Sequence, residues 1–425
     1  MFFSVIIYAM KMSEYALRTK QPPVTASMTK ERSIMSTTLF YNADIYRTSS
    51  RSFTGGDILI GDDRILGVSE GPSAWRDTAD RVIDVCGRKI IPGLVDVHTH
   101  GRAGGDFSSA PVDMMLKMSE SYLRSGVTTL LPTLASAPLD DLRTAIGRIN
   151  QVKAMEADPA YRGRLAHFAG THLEGRYLNV QKRGAHAPEL LFPLDADEMA
   201  SLISAVDGAR HVSAALELDA DGCFLRRALS LGATVSLGHT AATYAQAMDA
   251  FIHGCTAATH LFNAMLPLHH REGGAVCAAL LSPDVSCELI CDGFHIAPEM
   301  VRLAGTMKKD HLVLITDSME ATGCADGEYT IAGMPVTVKD GKARTHDGAI
   351  AGSTLSMWKA VKNYRDFAGV SFEEAVYAAT MAPAVEVGLT DEIGSLEPGK
   401  RADLLILGDY LTIDRVMVGG VFAVN

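Results

Sequence analysis

The sequence predicts an α/β fold, a (β/α)8 TIM-type barrel carrying a small β-sandwich domain built from both chain ends. Three observations predict it. Eight short apolar, β-branched runs between residues 94 and 316 are separated by stretches with helical periodicity, the alternation of a closed parallel barrel. Turn-punctuated strands precede the first run and follow the last, so the two ends can complete one another. Several of the middle runs end in a His, Glu or Asp, and barrel chemistry is placed at those ends.

At the N-terminus, Phe2–Met10 is apolar but lacks a basic segment and a small-residue cleavage site, and it is too short to span a bilayer. Residues 1–36 therefore read as a disordered leader ahead of a cytoplasmic protein. From 37 to 90 the pattern is β, with runs at 39–46, 56–61, 64–68 and 81–85. Strand-like runs return at 394–407 and 415–422, so 37–90 and 390–425 are assigned to the small domain and 91–389 to the barrel.

The barrel strands are expected at 94–98, 128–133, 166–173, 212–218, 234–238, 257–261, 286–291 and 311–316. Helical stretches include 112–125, 195–206, 223–231, 243–252 and 297–307.

Composition bounds the function. The chain has 425 residues, is 47% hydrophobic and carries a formal net charge of -11, enough for a large core with an accessory domain. No Lys/Arg-rich run appears, which argues against nucleic acid and anionic membrane as partners. An anionic small molecule held by a few local cations is compatible with that balance. The 7 cysteines form no Cys-x-x-Cys pair, and their odd number suits free thiols in a reducing compartment.

The chemistry is concentrated at the strand ends. Ile90-Ile-Pro-Gly-Leu-Val-Asp-Val-His-Thr-His100 delivers His98 and His100 at spacing i, i+2, on one face of a strand. Glu174 closes the third run, His239 the fifth and His260 the sixth. Asp292 and His295 follow the seventh, and Asp317 the eighth. Any one of these is more often a satisfied polar residue; their joint placement at one rim is not explained that way. Imidazole and carboxylate without thiolate suit Zn²⁺ or Fe²⁺ with open positions. A carboxylate at Glu174 can ligate one ion or bridge two, and Asp317 is placed to take a proton from water activated there. Cys255 and Cys291 read as core residues. Arg271, beside Gly273 and Gly274, suits an oxyanion pocket or, alternatively, a surface pair with Glu272. The small-residue loop 349–355 can approach a sugar or simply cap the next helix.

The longer strings carry a resemblance. His98-Thr-His100, His172-Leu-Glu-Gly, Lys182-Arg-Gly-Ala-His186 and His239 are joined by Thr259-His-Leu-Phe-Asn-Ala-Met265 and His269-His-Arg-Glu272. With Asp292-Gly-Phe-His295 and Thr316-Asp-Ser-Met319 they resemble the N-acetylglucosamine-6-phosphate deacetylases of the amidohydrolase superfamily. The likeness runs from about residue 38 to the C-terminus.

The resemblance implies hydrolysis of the acetamide of N-acetyl-D-glucosamine 6-phosphate to D-glucosamine 6-phosphate and acetate. It implies Glu174, His239 and His260 as ligands of the principal divalent ion, Zn or Fe, and His98 and His100 as the pair that allows a second. Asp317 would take the proton of the attacking water and return it to the leaving amine. His186 would stabilise the oxyanion, a role worth roughly 3 kcal/mol elsewhere. Ala185, His186, Asn263, Ala264, Arg271 and His295 would contact the phosphosugar, with Ala351 and Gly352 as further contacts. Arg271 would reach a neighbouring subunit's site, which implies a homodimer.

Three residues depart from the family pattern. Arg176 stands where Pro is usual, an extra cation expected at the site's mouth; Gly273 also replaces a common Pro; Ser318 replaces Ala and offers an added hydrogen bond. Deacetylation of another sugar phosphate, such as N-acetylgalactosamine 6-phosphate, is the nearest alternative. Cyclic-amide hydrolases are disfavoured because Glu174 stands where they carry a carboxylated Lys. A non-catalytic barrel scaffold is disfavoured because no ligand is lost.

Overall fold

A computed structural model describes residues 36–424; the leader expected over residues 1–36 lies outside them apart from Ser36. Eight parallel strands form the barrel: β1 (Leu94–Thr99), β2 (Val127–Leu134), β3 (Gly170–Glu174), β4 (Ala209–Ala214), β5 (Thr234–Leu237), β6 (Ala257–Ala258), β7 (Ser286–Ile290) and β8 (Leu312–Ile315). Each pairs in parallel with its successor from β1 to β8. The helices that follow them in turn are α1 (Val112–Arg124), α2 (Leu139–Met155), α3 (Ala196–Ile203), α4 (Cys223–Ser230), α5 (Tyr244–Ile252), α6 (Gly274–Leu281), α7 (Pro298–Lys308) and α8 (Met357–Ala368). Two short helices, α9 (Phe372–Ala378) and α10 (Met381–Glu386), extend the last of these.

The seam between β8 and β1 has no continuous ladder. It is closed by the Asp317 N–H donating to the His98 carbonyl at 2.9 Å, while the Asp96 carboxylate accepts the Thr316 hydroxyl at 2.6 Å. The closure of the barrel and two of the predicted site residues are thus the same feature.

Three strands are shorter than their hydrophobic runs. The run 166–173 breaks at Ala169 into His167–Phe168 and β3, because both neighbours bond the same residue: the Ala169 N–H donates to Leu130 and its carbonyl accepts from Ala209. Gly170 allows that approach, since a Cβ there would meet the Ala209 carbonyl oxygen at 1.9 Å. After β4 the chain turns into a 3-10 segment, Leu216–Leu218. β6 is two residues long because the next stretch alternates into left-handed backbone at His260, Phe262 and Ala264.

The strands of the two chain ends do join. Residues 37–47, 52–61, 64–68, 81–84 and 89–92 hydrogen-bond with 404–407, 413–418 and 421–422 into one eight-stranded sheet. The 89–92 strand links the halves, pairing with 44–45 on one side and 404–406 on the other. Phe40, Ile58, Ile65 and Ile90 from the first end pack with Leu404, Ile406 and Met417 from the second. An unpredicted three-stranded antiparallel sheet lies between β8 and α8, at 327–331, 334–339 and 342–345. Its two hairpin turns, Ala332-Gly333 and Asp340-Gly341, have both residues at positive φ, as two-residue turns of the mirror-image type require. No described helix is long and apolar enough to cross a membrane.

Candidate metal centre and its cleft

Glu174, the last residue of β3, stands at the centre of the strand-end residues and is fully buried. Its Oε1 lies 2.9 Å from His260 Nε2 and 3.2 Å from His239 Nε2. Its Oε2 lies 2.8 Å from His100 Nε2 and 3.2 Å from His98 Nε2. Asp317 Oδ1 closes the second side, 3.4 Å from His100 Nε2 and 3.7 Å from His98 Nε2. One carboxylate is therefore shared by two half-sites, one with each oxygen.

The local backbone explains how these groups converge. His239, His260 and Asp317 all have positive φ, at 45°, 29° and 47°. Such conformations cost on the order of 1–3 kcal/mol each for non-glycine residues and persist where the surroundings over-determine them. Here they turn side chains at strand ends inward over the barrel mouth. The hairpin of residues 327–345 then places Ile331 beside the same opening.

The arrangement fits divalent ions on its own terms. His239 Nδ1 lies 2.7 Å from the Lys182 carbonyl, so that nitrogen carries the proton and Nε2 presents a lone pair. His260 Nε2 is 3.0 Å from His239 Nε2, and both face Glu174 Oε1. A single hydrogen bond satisfies only one of two converging imidazole nitrogens. A cation with bonds of about 2.0–2.2 Å to nitrogen and oxygen satisfies all three atoms. On the other side, His98 Nε2 is buried with no hydrogen-bond partner, while its Nδ1 meets the Glu288 carboxylate at 2.8 Å. His98, His100 and Glu174 form a group with ligand atoms mutually within reach of one ion.

Without an ion, protons balance the cluster. Burial pushes His100 down, but hydrogen bonds to Asp317 and Glu174 outweigh it and hold it up at about 9. Burial raises the Asp317 carboxyl, yet the His100 hydrogen bond and the charges of His98 and His100 bring it below its ordinary value. Burial likewise works against the Glu174 carboxylate, and the four imidazoles around it hold it well below the usual range.

A cleft of about 260 Å³ opens onto this cluster. It is lined by Ala185, His186, Asn263, Ala264, His295 and Gly352 of the predicted contacts, together with His100, Glu174, His239, His260 and Asp317. The His186 ring stands 4.8 Å from the His239 ring. Its Nδ1 accepts the Ser136 N–H at 3.3 Å and lies 2.9 Å from the Ser136 hydroxyl. That hydroxyl oxygen accepts the Arg176 N–H at 3.0 Å, leaving its own proton for His186. The imidazole is then the tautomer with Nε2–H, and burial lowers its pKa to about 3, so it is a neutral donor. His295 is oriented by Asp292, whose carboxylate meets its Nδ1 at 2.7 Å and its backbone N–H at 2.8 Å.

Other predicted residues are placed differently. Arg271 is exposed, away from the lining of this cleft, with its guanidinium 2.9 Å from His270 Nε2. Ala351 is buried behind the lining and donates its N–H to the Ala343 carbonyl. The Asn263 N–H is already bonded to the His260 carbonyl at 2.9 Å. Arg176 is not a free cation at the mouth: its guanidinium meets Glu198 at 2.8 and 3.2 Å and donates to the Ala137 carbonyl. Ser318 does add hydrogen bonds, to the Gly101 carbonyl at 2.9 Å and with the Thr99 hydroxyl at 2.8 Å. Cys255 and Cys291 are buried core residues, as expected. Ser136, Ile331 and Glu288 were not anticipated. Glu288 had a readable signal, a lone carboxylate inside the apolar run Ser286–Ile290; Ser136 had none.

The amidohydrolase family model matches residues 90–423. The chain is 37% identical over 336 residues to an N-acetylgalactosamine-6-phosphate deacetylase of Escherichia coli O157:H7, covering 79% of this chain and 87% of that protein. It is 34% identical over 393 residues to the human N-acetylglucosamine-6-phosphate deacetylase, covering 88% and 94%. Among solved structures, a mutant of the Mycobacterium smegmatis N-acetyl-D-glucosamine-6-phosphate deacetylase in complex with N-acetyl-D-glucosamine-6-phosphate superposes with a TM-score of 0.81 at 32% identity. That match covers 92% of this chain and all of that one. With the family model spanning most of its length and relatives of this identity along nearly all of theirs, the chain belongs to the amidohydrolase family.

Proposed function

We propose that this protein hydrolyses the acetamide of N-acetyl-D-glucosamine 6-phosphate, releasing acetate and D-glucosamine 6-phosphate. The observation that carries the reading is the buried Glu174, shared between His239–His260 and His98–His100–Asp317 at the floor of a cleft. Glu174, His239 and His260 would hold the principal ion, Zn or Fe, and His98 and His100 a second one alongside Glu174. Bound there, a divalent ion supplies Lewis acidity towards water and the amide carbonyl.

The chain's own residues do the rest. Asp317 takes the proton lost by the attacking water and delivers it to the nitrogen as the C–N bond breaks, so the products are acetate and the free amine. His186 donates its Nε2–H to the oxygen on which charge develops. His295, Asn263, Ala264 and Ala185 surround the sugar, with Gly352 allowing close approach of backbone. The phosphate would be met by His295 and by Arg271 of a second copy, in a cytoplasmic homodimer.

A second reading has its own support: the relative at 37% identity is named for the galacto epimer, so N-acetylgalactosamine 6-phosphate is the competing substrate. Acetate release from both epimers, and from unphosphorylated N-acetylglucosamine, tests both readings alongside elemental analysis of metal per chain. A kcat/KM for the gluco phosphate at least tenfold above the other two supports the proposal. Preference for the galacto epimer transfers it to the second reading. Equal rates with and without phosphate remove Arg271 and His295 from phosphate binding, and no acetate from any of them ends the deacetylase reading.

A further inference from the structure

Beneath the cluster, inside the barrel, Glu288 of β7 is fully buried and makes two contacts through one oxygen. Its Oε2 is 2.8 Å from His98 Nδ1 and accepts the His260 N–H at 2.9 Å. Those two residues stand on opposite sides of Glu174, His98 against Oε2 and His260 against Oε1. In a neutral His98, a hydrogen bond from Nδ1–H to a carboxylate leaves the lone pair on Nε2, the atom that faces Glu174 and has no hydrogen-bond partner.

The far side of Glu288 is also unusual. Its Oε1 has no hydrogen-bond partner, nor has either oxygen of Glu386, which reaches in from the end of α10 and is itself buried. His211 Nε2 faces the same point, 3.6 Å from Glu386 Oε1 and 3.9 Å from Glu288 Oε1. Its Nδ1 lies 2.7 Å from the Thr234 hydroxyl. Two buried carboxylates turned towards one another in a dry interior repel unless one of them carries a proton. Burial, and then the neighbouring Glu288, push the Glu386 carboxyl well above the usual range. Glu386 is thus the proton-bearing member of the pair.

We infer that Glu288 is a positioning residue of the metal centre: it fixes the tautomer and ring plane of His98, with Glu386 bracing it from behind, and thereby sets the affinity of the His98–His100–Glu174 half-site for a divalent ion. The inference rests on the two-ion reading above. Carboxylates behind a ligating imidazole are typically worth 10–100-fold in metal affinity when removed.

The test is a Co²⁺ titration of metal-free protein, following the visible ligand-field bands and equilibrium dialysis for each equivalent. Glu288→Gln, which keeps an acceptor for the His260 N–H, is expected to weaken the second equivalent by 10–100-fold while leaving the first, at Glu174–His239–His260, unchanged; Glu288→Ala, which also frees that N–H, is expected to weaken the second at least as much. Glu386→Gln can still donate to Glu288 and is expected to bind both equivalents as wild type does. Unchanged affinity for both equivalents in the Glu288 variants overturns the inference. If those variants do not fold, the ¹⁵N-imidazole spectrum of the zinc-loaded wild type decides: a His98 protonated at Nδ1 supports it, and one unprotonated there overturns it. A wild type that takes up a single equivalent overturns it too, by removing the second ion. The deacetylase reading is separate from that outcome, since it stands or falls on acetate release.

Discussion

Asp317→Asn tests the proposed proton transfer apart from binding more cleanly than any other change in the cleft. Asparagine has the same shape and tolerates positive φ better than most residues, so the 47° backbone at this position is not penalised. The main-chain bonds that close the barrel seam remain: Asp317 N–H to the His98 carbonyl at 2.9 Å, and Ser353 N–H to the Asp317 carbonyl at 2.7 Å. Stability should change by no more than about 1 kcal/mol. What disappears is a carboxylate kept ionised beside His100 and His98, at 3.4 and 3.7 Å. Loss of a general acid–base group costs roughly 10²–10⁴ in rate, or about 3–5 kcal/mol of transition-state stabilisation. The expected result is a kcat for acetate release lowered at least 100-fold. Metal at Glu174–His239–His260 stays at full occupancy, because the Asp317 side chain contacts neither histidine. A variant retaining a third or more of wild-type kcat would refute the assignment of Asp317 as the proton carrier.

Glu174→Gln places an amide where one oxygen now faces two imidazoles, so bound metal and activity should fall together; full occupancy by elemental analysis would contradict Glu174 as a shared ligand. Arg176→Ala should destabilise the fold by about 1–3 kcal/mol, since it strips a half-buried Glu198 of its bidentate partner. KM for the phosphosugar should be unchanged, and a raised KM would put the cation back at the mouth. The metal-free protein should lose stability as pH rises. His100 is held up at about 9, above the ordinary value of about 6.5, so its contribution is complete below about pH 6.5 and is lost as pH climbs through 9. Calorimetry should show a falling Tm over that window without metal and a flatter one with zinc, whose binding displaces the proton; parallel curves would exclude the linkage.

The chain's own order of residues determined the barrel and most of its floor. Hydrophobic runs of strand length recur at regular spacing, and a parallel barrel delivers the residue after each run to one rim, so Glu174, His239, His260 and Asp317 could be read from position alone. The motifs around them are local strings, which is why the family is legible in the sequence. What tertiary structure decided are facts of distance between segments. Glu174 splitting its two oxygens between half-sites depends on β1, β5 and β6 converging on β3, and no local pattern encodes that. Arg176 looked like a free cation because its partner Glu198 lies 22 residues on, on the helix after the next loop. The short β6 reflects backbone that turns left-handed at His260, Phe262 and Ala264, against the local preference of those residues. Glu288 and Glu386 meet across 98 positions only because α10 folds back beneath the strands. Periodicity reports which face a residue occupies; which charge waits on the other side of that face is settled when the barrel closes.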